Sequence, residues 1–363
     1  MHAEDLVTIR GAYYREPSTR VIQPVVEITK DLPNGFDVTA HYLVDTITSA
    51  SAAATGSTTA DSIFTEIRSE VGLTVGKTWD RTRATLSYKY SAESDYWSHA
   101  FWASLSRTFW GNTATVGAFG GLSLDSVGFR SRRPNCVAPG ETSCPLDSGF
   151  GGIGYTQVLS PVAVAQINLD GAYLNGFLAN PYRVVPNGPE TFPDQRLRTA
   201  VSLRAAYYFP TVETGLQVQY RYYRDFYPDA LPAGVSADPW GLSAHTIEGR
   251  LYHRLSRDLE VRFLYRQYFQ QPPAFWCDLA INPGCTAMST SVSSMYMSAD
   301  PAIGPVRTEY PEVKLIWDAA AWESVPFFRW FAAGTFEISY GRYFQNNSFG
   351  DAHVLQTGYS MPY

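Results

Sequence analysis

Three patterns in the sequence predict an all-β fold, a transmembrane antiparallel up-and-down β-barrel. Runs in which apolar and polar side chains alternate recur along the chain, as in GLQVQYRYYRDFYP at 215–228. The runs are roughly 10 to 16 residues long, which suits a tilted membrane strand better than the shorter strands of most soluble proteins. The connections between the runs alternate between tight turns and long loops, the pattern of short periplasmic turns and long extracellular loops.

The composition favours strands and argues against nucleic-acid binding. Aromatic residues make up 15% of the chain and charged residues 17%, whereas an average soluble domain is about 25% charged. Tyrosine, phenylalanine and tryptophan are enriched in strands. The net charge is -6 and no basic stripe stands out, so no nucleic-acid partner is expected. No stretch approaches the ~18 uninterrupted apolar residues of a membrane-spanning helix.

The alternating runs predict about 16 strands in one domain that extends over residues 1–363. In the run at 215–228, the alternation puts Leu216, Val218 and Tyr220 on one face and Gln217 and Arg221 on the other. We place the strands at 5–15, 20–30, 36–48, 63–77, 82–92, 96–109, 113–129, 150–159, 162–177, 197–209, 213–227, 240–255, 258–271, 308–320, 333–345 and 353–363.

The connections are expected to mark the two ends of the barrel. After every second strand the chain turns tightly, as in DLPNG at 31–35 and WGN at 110–112. The link at 321–332 is the exception on the short side, and its Trp and Phe residues suit an aromatic girdle at the membrane surface. Most of the other connections are long loops, at 49–62, 130–149, 178–196, 228–239 and 272–307.

The last strand, HVLQTGYSMPY, has the character of a lipid-facing terminal strand. Leu355, Tyr359, Met361 and Tyr363 share one face. Outer-membrane barrels commonly end on such an aromatic face, although an ordinary strand can also end in tyrosine.

Two cysteine pairs have equal spacing and lie in loops rich in proline and glycine. They are Cys136 with Cys144 and Cys277 with Cys285. A structural zinc site prefers closer cysteines, so we expect two local disulfides. Disulfides form in oxidising compartments, which favours the periplasm or the cell surface.

If the apolar face meets lipid, the other face lines the lumen. Both signs of charge are expected there, interleaved, where they can form a ladder of ion pairs between neighbouring strands or set selectivity. In particular, Arg221 or Arg224 is expected to pair with Asp225. The inward candidates on the strands are Arg10, Glu27, Asp37, His41, Asp45, Glu66, Arg68, Glu70, Lys89, Arg221, Glu248, Arg250, Glu260, Arg262, Arg266, Glu312, Lys314, Asp318 and Glu337.

Common enzymatic motifs are missing from the sequence. There is no Walker loop, no G-x-S-x-G elbow, no H-E-x-x-H and no C-x-x-C-H. We therefore expect a non-enzymatic protein without a catalytic, cofactor-binding or metal site. A barrel hydrolase stays open as an alternative, since serine, aspartate and histidine side chains from separate strands can converge.

Several stretches in combination resemble an uncharacterised family of proteobacterial outer-membrane barrels, catalogued only as a domain of unknown function. The resemblance covers most of the chain and implies an outer-membrane barrel, while it implies no established activity. The stretches are AYYREPSTRVIQPVVEITKDLPNGFDVTAHYLVDTITSAS at 12–51, GFLANPYRVV at 176–185, PDQRLRTAVSLRAAYYFP at 193–210, YRYYRDFYP at 220–228, WGLSAHTIEGRLYHRL at 240–255 and RQYFQQPPAFW at 266–276.

In the expected topology, most of these stretches extend to the end of the barrel that carries the long loops. The resemblance therefore implies a constriction or a binding ring at the outer mouth, unless the same side chains only brace the loops. The members of this ring would be Arg183, Arg224, Asp225, Arg266 and Gln270.

Two functions are compatible with the sequence. The first is a porin-like channel for small solutes in the bacterial outer membrane, with a mixed-charge lumen. The second is a scaffold or sheath barrel that holds a partner protein at the surface or on the periplasmic side. Both imply contact with outer-membrane lipid, and neither requires a cofactor.

Overall fold

The described strands of the protein form one closed barrel. The computed structural model describes residues 5–49, 64–128, 142–179, 184–185, 188–231, 234–235, 237–279, 281, 284–285, 295–322 and 331–363. Its strands are β1 (Leu6–Arg15), β2 (Thr19–Leu32), β3 (Phe36–Ser49), β4 (Phe64–Trp79), β5 (Thr82–Ala92), β6 (Tyr96–Phe109), β7 (Ala114–Gly128), β8 (Ser143–Ser160), β9 (Ala163–Gly176), β10 (Val184–Val185), β11 (Gly188–Pro189), β12 (Gln195–Phe209), β13 (Thr214–Phe226), β14 (Ser243–Arg254), β15 (Leu259–Gln271), β16 (Val306–Asp318), β17 (Thr335–Gln345) and β18 (Ala352–Pro362).

The barrel is antiparallel and up-and-down throughout. β10 and β11 pair only with each other, and the other 16 strands each pair with the strands before and after them. β1 also pairs with β18, with Leu6 opposite Pro362, and this pairing closes the sheet. Closure leaves no unpaired strand edge, which is the condition for a sheet to cross a bilayer.

The predicted strand count is confirmed, and each predicted strand overlaps one barrel strand. Two boundaries differ by more than two residues. β8 begins at Ser143 rather than at residue 150, because Pro145 and the small residues around it hide the alternation although Cys144 still pairs with Val127. β14 begins at Ser243 rather than at residue 240, because Trp240 and Leu242 are buried in loop structure.

Side chains alternate between the outside and the lumen, as the sequence predicts. In β13, Leu216, Val218 and Tyr220 point outward and are 39%, 49% and 38% exposed. Similar apolar side chains cover the outside of the whole barrel. Leaving apolar area in water costs about 25 cal/mol per Å², so this surface fits lipid. Among the residues described, no helix is long and apolar enough to cross a membrane.

The two ends of the barrel differ in their connections. The end that carries the turns 33–35, 110–113 and 210–213 is tight, and Asn34 and Gly35 adopt the left-handed φ values of 63° and 74° that such turns need. The long connections, including 177–194, 227–242 and 272–305, lie at the opposite end. The expectation of short periplasmic turns and long extracellular loops is confirmed, with the connection after β16 as the expected exception. The predicted aromatic girdle at 321–332 stays a prediction, because residues 323–330 lie outside the described residues.

Cations stack on aromatic rings along both rims of the outer surface. This arrangement suits the headgroup region, where a charge can stay in water while the ring lies nearer to the hydrocarbon. The pairs at the extracellular rim are Arg224 with Phe226 at 5.1 Å, Arg307 with Phe269 at 5.3 Å and Arg342 with Phe344 at 4.7 Å. The pairs at the periplasmic rim are Lys30 with Tyr363 at 5.1 Å, Lys77 with Phe36 at 3.8 Å and Arg107 with Phe109 at 5.7 Å.

Glycines on β4 let charged side chains cross from β3 to β5. Arg83 Nη1 donates to Asp37 Oδ1 at 2.6 Å, over Gly76, which lies between them on the inward face. A Cβ at Gly76 would lie 2.5 Å from the Asp37 carboxylate and 2.6 Å from the Arg83 guanidinium. The ion pair therefore depends on the missing side chain.

We expect Gly76→Leu to destabilise the barrel by about 1–3 kcal/mol, because it separates Asp37 from Arg83 inside the wall. The measurement is urea unfolding of the protein folded in lipid vesicles. The control is Gly149→Leu, since Gly149 faces outward and a Cβ there meets nothing within 4 Å. Equal stability of the two variants would contradict the role of Gly76.

Candidate functional site: the lumen and its outer mouth

The structure turns most of the predicted lumen residues inward. Asp45, Arg221, Asp225, Glu248, Arg250, Arg262, Arg266 and Gln270 all lie on the inward face of their strands, as do the other charged strand residues predicted to face the lumen. Arg224 is an exception, because it neighbours the inward Asp225 and alternation therefore directs it to the outside, over Phe226. Arg183 and Cys136 lie outside the described residues.

Neighbouring inward charges form lateral ion pairs, as predicted. Glu248 Oε2 on β14 accepts from Arg266 Nε on β15 at 2.8 Å, and Arg250 Nε, two residues along β14, lies 2.7 Å from Glu248 Oε1. Across the intervening strand β12, Arg221 Nη2 on β13 lies 3.2 Å from Asp170 Oδ2 on β9. Each of these pairs neutralises charge that the lumen would otherwise have to solvate.

The charges are not evenly interleaved around the barrel, contrary to expectation. The inward faces of β12–β15, which we call the positive wall, carry eight arginines and three carboxylates. Of these arginines, Arg198, Arg204 and Arg254 have no described carboxylate within ion-pair distance. The set comprises Arg196, Arg198, Arg204, Arg221, Arg250, Arg254, Arg262 and Arg266 with Asp225, Glu248 and Glu260.

A second group of strands has the opposite balance. The inward faces of β2–β5, which we call the negative wall, carry six carboxylates, two arginines and one lysine, besides His41. The carboxylates thus outnumber the cations two to one. The set comprises Glu27, Asp31, Asp37, Asp45, Glu66 and Glu70 with Arg68, Arg83 and Lys89.

The two walls face each other across the lumen. In the closed strand order, four strands (β6–β9) separate them on one side and four (β16, β17, β18 and β1) on the other. A positive and a negative surface on opposite sides of a water-filled space create an electric field across it. Because strand order generates this arrangement, no single strand reveals it.

The negative wall ends in a group of carboxylates at the extracellular rim. Ligand atoms of Glu66, Glu93 and Asp95 lie within 4.8 Å of one another. Burial, with the neighbouring Glu66 carboxylate, raises the pKa of Glu93. Arg68 bonds to Asp45 and lies 4.0 Å from Glu93, so the group contains its own counter-charge.

The described parts of loops 177–194, 227–242 and 272–305 pack together over the extracellular end of the positive wall, and we call them the mouth cap. Trp240 and Phe275 are fully buried at its centre and meet edge to face, with ring centroids 5.1 Å apart. Tyr296 packs against this cluster, and burial raises the pKa of its hydroxyl. The mouth cap therefore has a small apolar core of its own.

A buried ion pair joins the mouth cap to the barrel. Arg196 Nε donates to Asp225 Oδ2 at 2.8 Å, and the Asp225 side chain is fully buried. The Arg196 guanidinium lies 4.2 Å from the Trp240 ring, whose Nε1 donates to the Gln195 carbonyl at 2.6 Å. The expected pairing of Asp225 with Arg221 or Arg224 is therefore wrong, because Arg196 on the paired strand takes that place.

Further contacts hold the 272–305 loop. Gln270 Nε2 donates to the Gly304 carbonyl at 2.7 Å, so this predicted ring member anchors the loop. The disulfide between Cys277 and Cys285 is confirmed. Cys144 is buried at the extracellular end of β8, and its pairing with Cys136 stays a prediction.

Sequence reasoning missed Arg196 and Trp240 as site residues. Both lie in stretches that carry the family resemblance, PDQRLR and WGLSAH. Alternation puts Arg196 on the inward face of β12 and Asp225 on the inward face of the adjoining strand β13. Their pairing could therefore have been proposed from the sequence. The burial of Trp240 depends on loop packing, which alternation does not predict.

Comparisons with known proteins agree with this architecture. A family model described as a protein of unknown function (DUF3570) matches residues 151–320, so the resemblance to an uncharacterised family is confirmed over that part. A search of the curated proteins found no match. A structure titled "Bacterial polysaccharide outer membrane secretin" is similar, with a TM-score of 0.53, 9% identity, and 100% of this chain and 99% of that chain covered.

CdiB from Acinetobacter baumannii has a TM-score of 0.54 and 9% identity, over 99% of this chain and 60% of that chain. At these identities the similarity concerns the fold alone. The fold is that of a bacterial outer-membrane β-barrel.

We expect Arg196→Leu to lower the free energy of unfolding by about 3–5 kcal/mol, because it leaves the Asp225 carboxylate buried without its partner. The mouth cap should be cleaved faster by an added protease in intact vesicles, and the barrel should unfold at lower urea. The double variant Arg196→Leu with Asp225→Leu should recover most of this stability. Arg224→Leu, the same change on the outward face, serves as the control, and equal behaviour of Arg196→Leu and this control would contradict the assignment.

Proposed function

We propose that the protein is a porin-like channel for small polar and charged solutes in the bacterial outer membrane, acting as a single barrel domain. The observation that carries the proposal is the pair of opposed, charged lumen walls. Charged side chains that line a space interact well with water and with hydrated solutes, whereas a solid protein core would exclude them. A barrel of about 16 strands is wide enough for an aqueous channel.

The opposed walls support a particular kind of selectivity. A solute that carries both a positive and a negative group can orient across the lumen and contact both walls. A simple ion has a favourable electrostatic interaction with only one of the two walls. The arginine excess on β12–β15 exceeds the carboxylate excess on β2–β5, but the other strands offset the difference, so the walls support selection of dipolar solutes and no overall preference for anions. The inward charges of those other strands are Asp125, Asp170, Glu312, Asp318 and Glu337 against Arg10 and Lys314.

A non-enzymatic role is part of the proposal. On the inward face, His41 Nε2 lies 3.3 Å from Glu70, without a described serine hydroxyl bonded to it. Inward hydroxyls bond across strands to one another, as Thr74 does with Ser87 at 2.8 Å and Thr85 with Ser104 at 2.7 Å. These contacts support a structural role for the hydroxyls.

Single-channel recording in a planar bilayer tests the proposal. We expect steady conductance from the purified, folded protein, because the lumen is lined by hydrated groups. The recording is repeated after reduction of the disulfides and with Cys277→Ser combined with Cys285→Ser, since the Cys277–Cys285 disulfide holds the mouth cap. Silence that reduction relieves would identify the loops as a plug. Silence in every state would contradict the channel and favour the scaffold barrel.

We expect Arg266→Ala to fold nearly as well as the parent protein, because Glu248 keeps Arg250 as an ion-pair partner at 2.7 Å. Loss of one positive-wall charge should lower the permeability ratio of chloride to potassium by about twofold. The reversal potential in a potassium chloride gradient measures this ratio. Arg20→Gln, which removes a charge on the outward face of β2, is the control. Unchanged selectivity together with lowered stability would show that Arg266 only braces the wall.

A further inference from the structure

The lumen contains a polar recess beside the positive wall, near the middle of the strands. Inward side chains of β6–β9, β12 and β13 line this space of about 600 Å³. Among its lining groups are the amides of Asn168 and Gln219, the Asp170 carboxylate and the guanidinium of Arg204. A volume of this size accommodates a small solute.

Missing side chains on β7 and β8 create the recess. A Cβ at Gly154 would lie 2.5 Å from Asn168 Oδ1, and one at Gly152 would lie 2.7 Å from the Phe119 ring. Gly117 also lines the space, and a Cβ there would have no neighbour closer than 3.7 Å. The small residues therefore leave room for a ligand and seat the side chains that would contact it.

Arg204 is the charged group in the recess that lacks a counter-charge. Its Nε donates to Gln219 Oε1 at 3.1 Å, and no carboxylate in the described part of the chain forms an ion pair with it. The other charges there compensate each other, since Arg221 pairs with Asp170. The terminal nitrogens of Arg204 can thus receive a carboxylate in the two-point geometry that guanidinium groups favour.

Phe119 supplies an apolar face among these polar groups. It points into the lumen and is 43% exposed, while most other exposed aromatic side chains of the strands point to lipid. A phenyl ring gains nothing from facing water. The carbon face of a ring-shaped solute could cover it, while amide and hydroxyl groups around the ring bond the solute's hydroxyls.

We propose that the recess is a binding station for a hydroxylated carboxylate of sugar-acid type. The carboxylate binds Arg204, the hydroxyls bind the amides of β9 and β13 and the serine and threonine hydroxyls of β6–β8 and β12, and the carbon skeleton lies on Phe119. This assignment rests on the proposed channel function and names its substrate class. A hexuronate satisfies all three contacts, whereas a neutral hexose lacks the first and benzoate lacks the hydroxyls.

Calorimetric titration of the full-length barrel in detergent tests the proposal without requiring conduction. The probes are D-galacturonate, D-galactose and benzoate. We expect D-galacturonate to bind about tenfold or more tightly than either of the others, because each lacks one set of contacts. Equal binding of galacturonate and galactose, tighter binding of benzoate, or no binding of galacturonate would each overturn the assignment.

Variants locate the contact. Arg204→Gln should lower galacturonate affinity about tenfold and leave galactose binding little changed, since only the carboxylate contact is lost. Gly117→Leu should fill the recess and weaken the binding of both galacturonate and galactose. Arg20→Gln makes the same arginine-to-glutamine change outside the lumen and should leave binding unaltered. Undiminished galacturonate binding by Arg204→Gln would overturn the site even if Gly117→Leu failed to fold.

Conductance recordings on the same preparations separate the two proposals. A conducting barrel that does not bind galacturonate would refute the binding station and leave the channel standing. A silent barrel that binds galacturonate through Arg204 would refute the channel and retain the site.

Discussion

The demand that every backbone group in a bilayer be hydrogen-bonded within the protein underlies the rest of this structure. The pairing of β1 with β18 meets it by closing the sheet. Once the sheet is closed, a side chain has only two directions, toward lipid or toward the lumen. The apolar exterior, the charged interior and the position of the mouth cap all follow from that division. The cap's aromatic core packs mainly against loop side chains and contacts the positive wall through Arg196, which lies against Trp240.

Charge inside the barrel is organised at two scales. Between strands that lie close together in the wall, ion pairs such as Asp37 with Arg83, which reach across β4, offset part of the cost of placing ions in the wall. These contacts require space, which Gly76 supplies. Across the lumen, the charges left over do not cancel, because arginines dominate one side and carboxylates the other. Local neutralisation therefore stabilises the wall, while the remaining imbalance acts on whatever enters the lumen.

Much of this arrangement could be predicted from the sequence, since a period of two marks each residue as inward or outward. Alternation alone predicted that Arg266 and Glu248 point into the lumen and that Tyr220 points outward. Alternation did not predict the partner of Asp225, because Arg196 lies 29 residues away and strand register is set by turns and closure. The start of β8 was obscured by Pro145 and small residues. The loops escaped prediction for another reason: the burial of Trp240 comes from irregular packing without a period.

The cation–aromatic pairs at the two rims have a consequence for the membrane itself. Because they occur at both ends of the outer surface, they bracket an apolar belt whose height is set by the tilt and length of the strands. A bilayer with a thicker hydrocarbon layer would have to thin around the protein, or the barrel would have to tilt, each at a cost of a fraction of a kcal/mol per Å of mismatch. The barrel is thus matched to one thickness of membrane and can deform the lipid around it when placed in another.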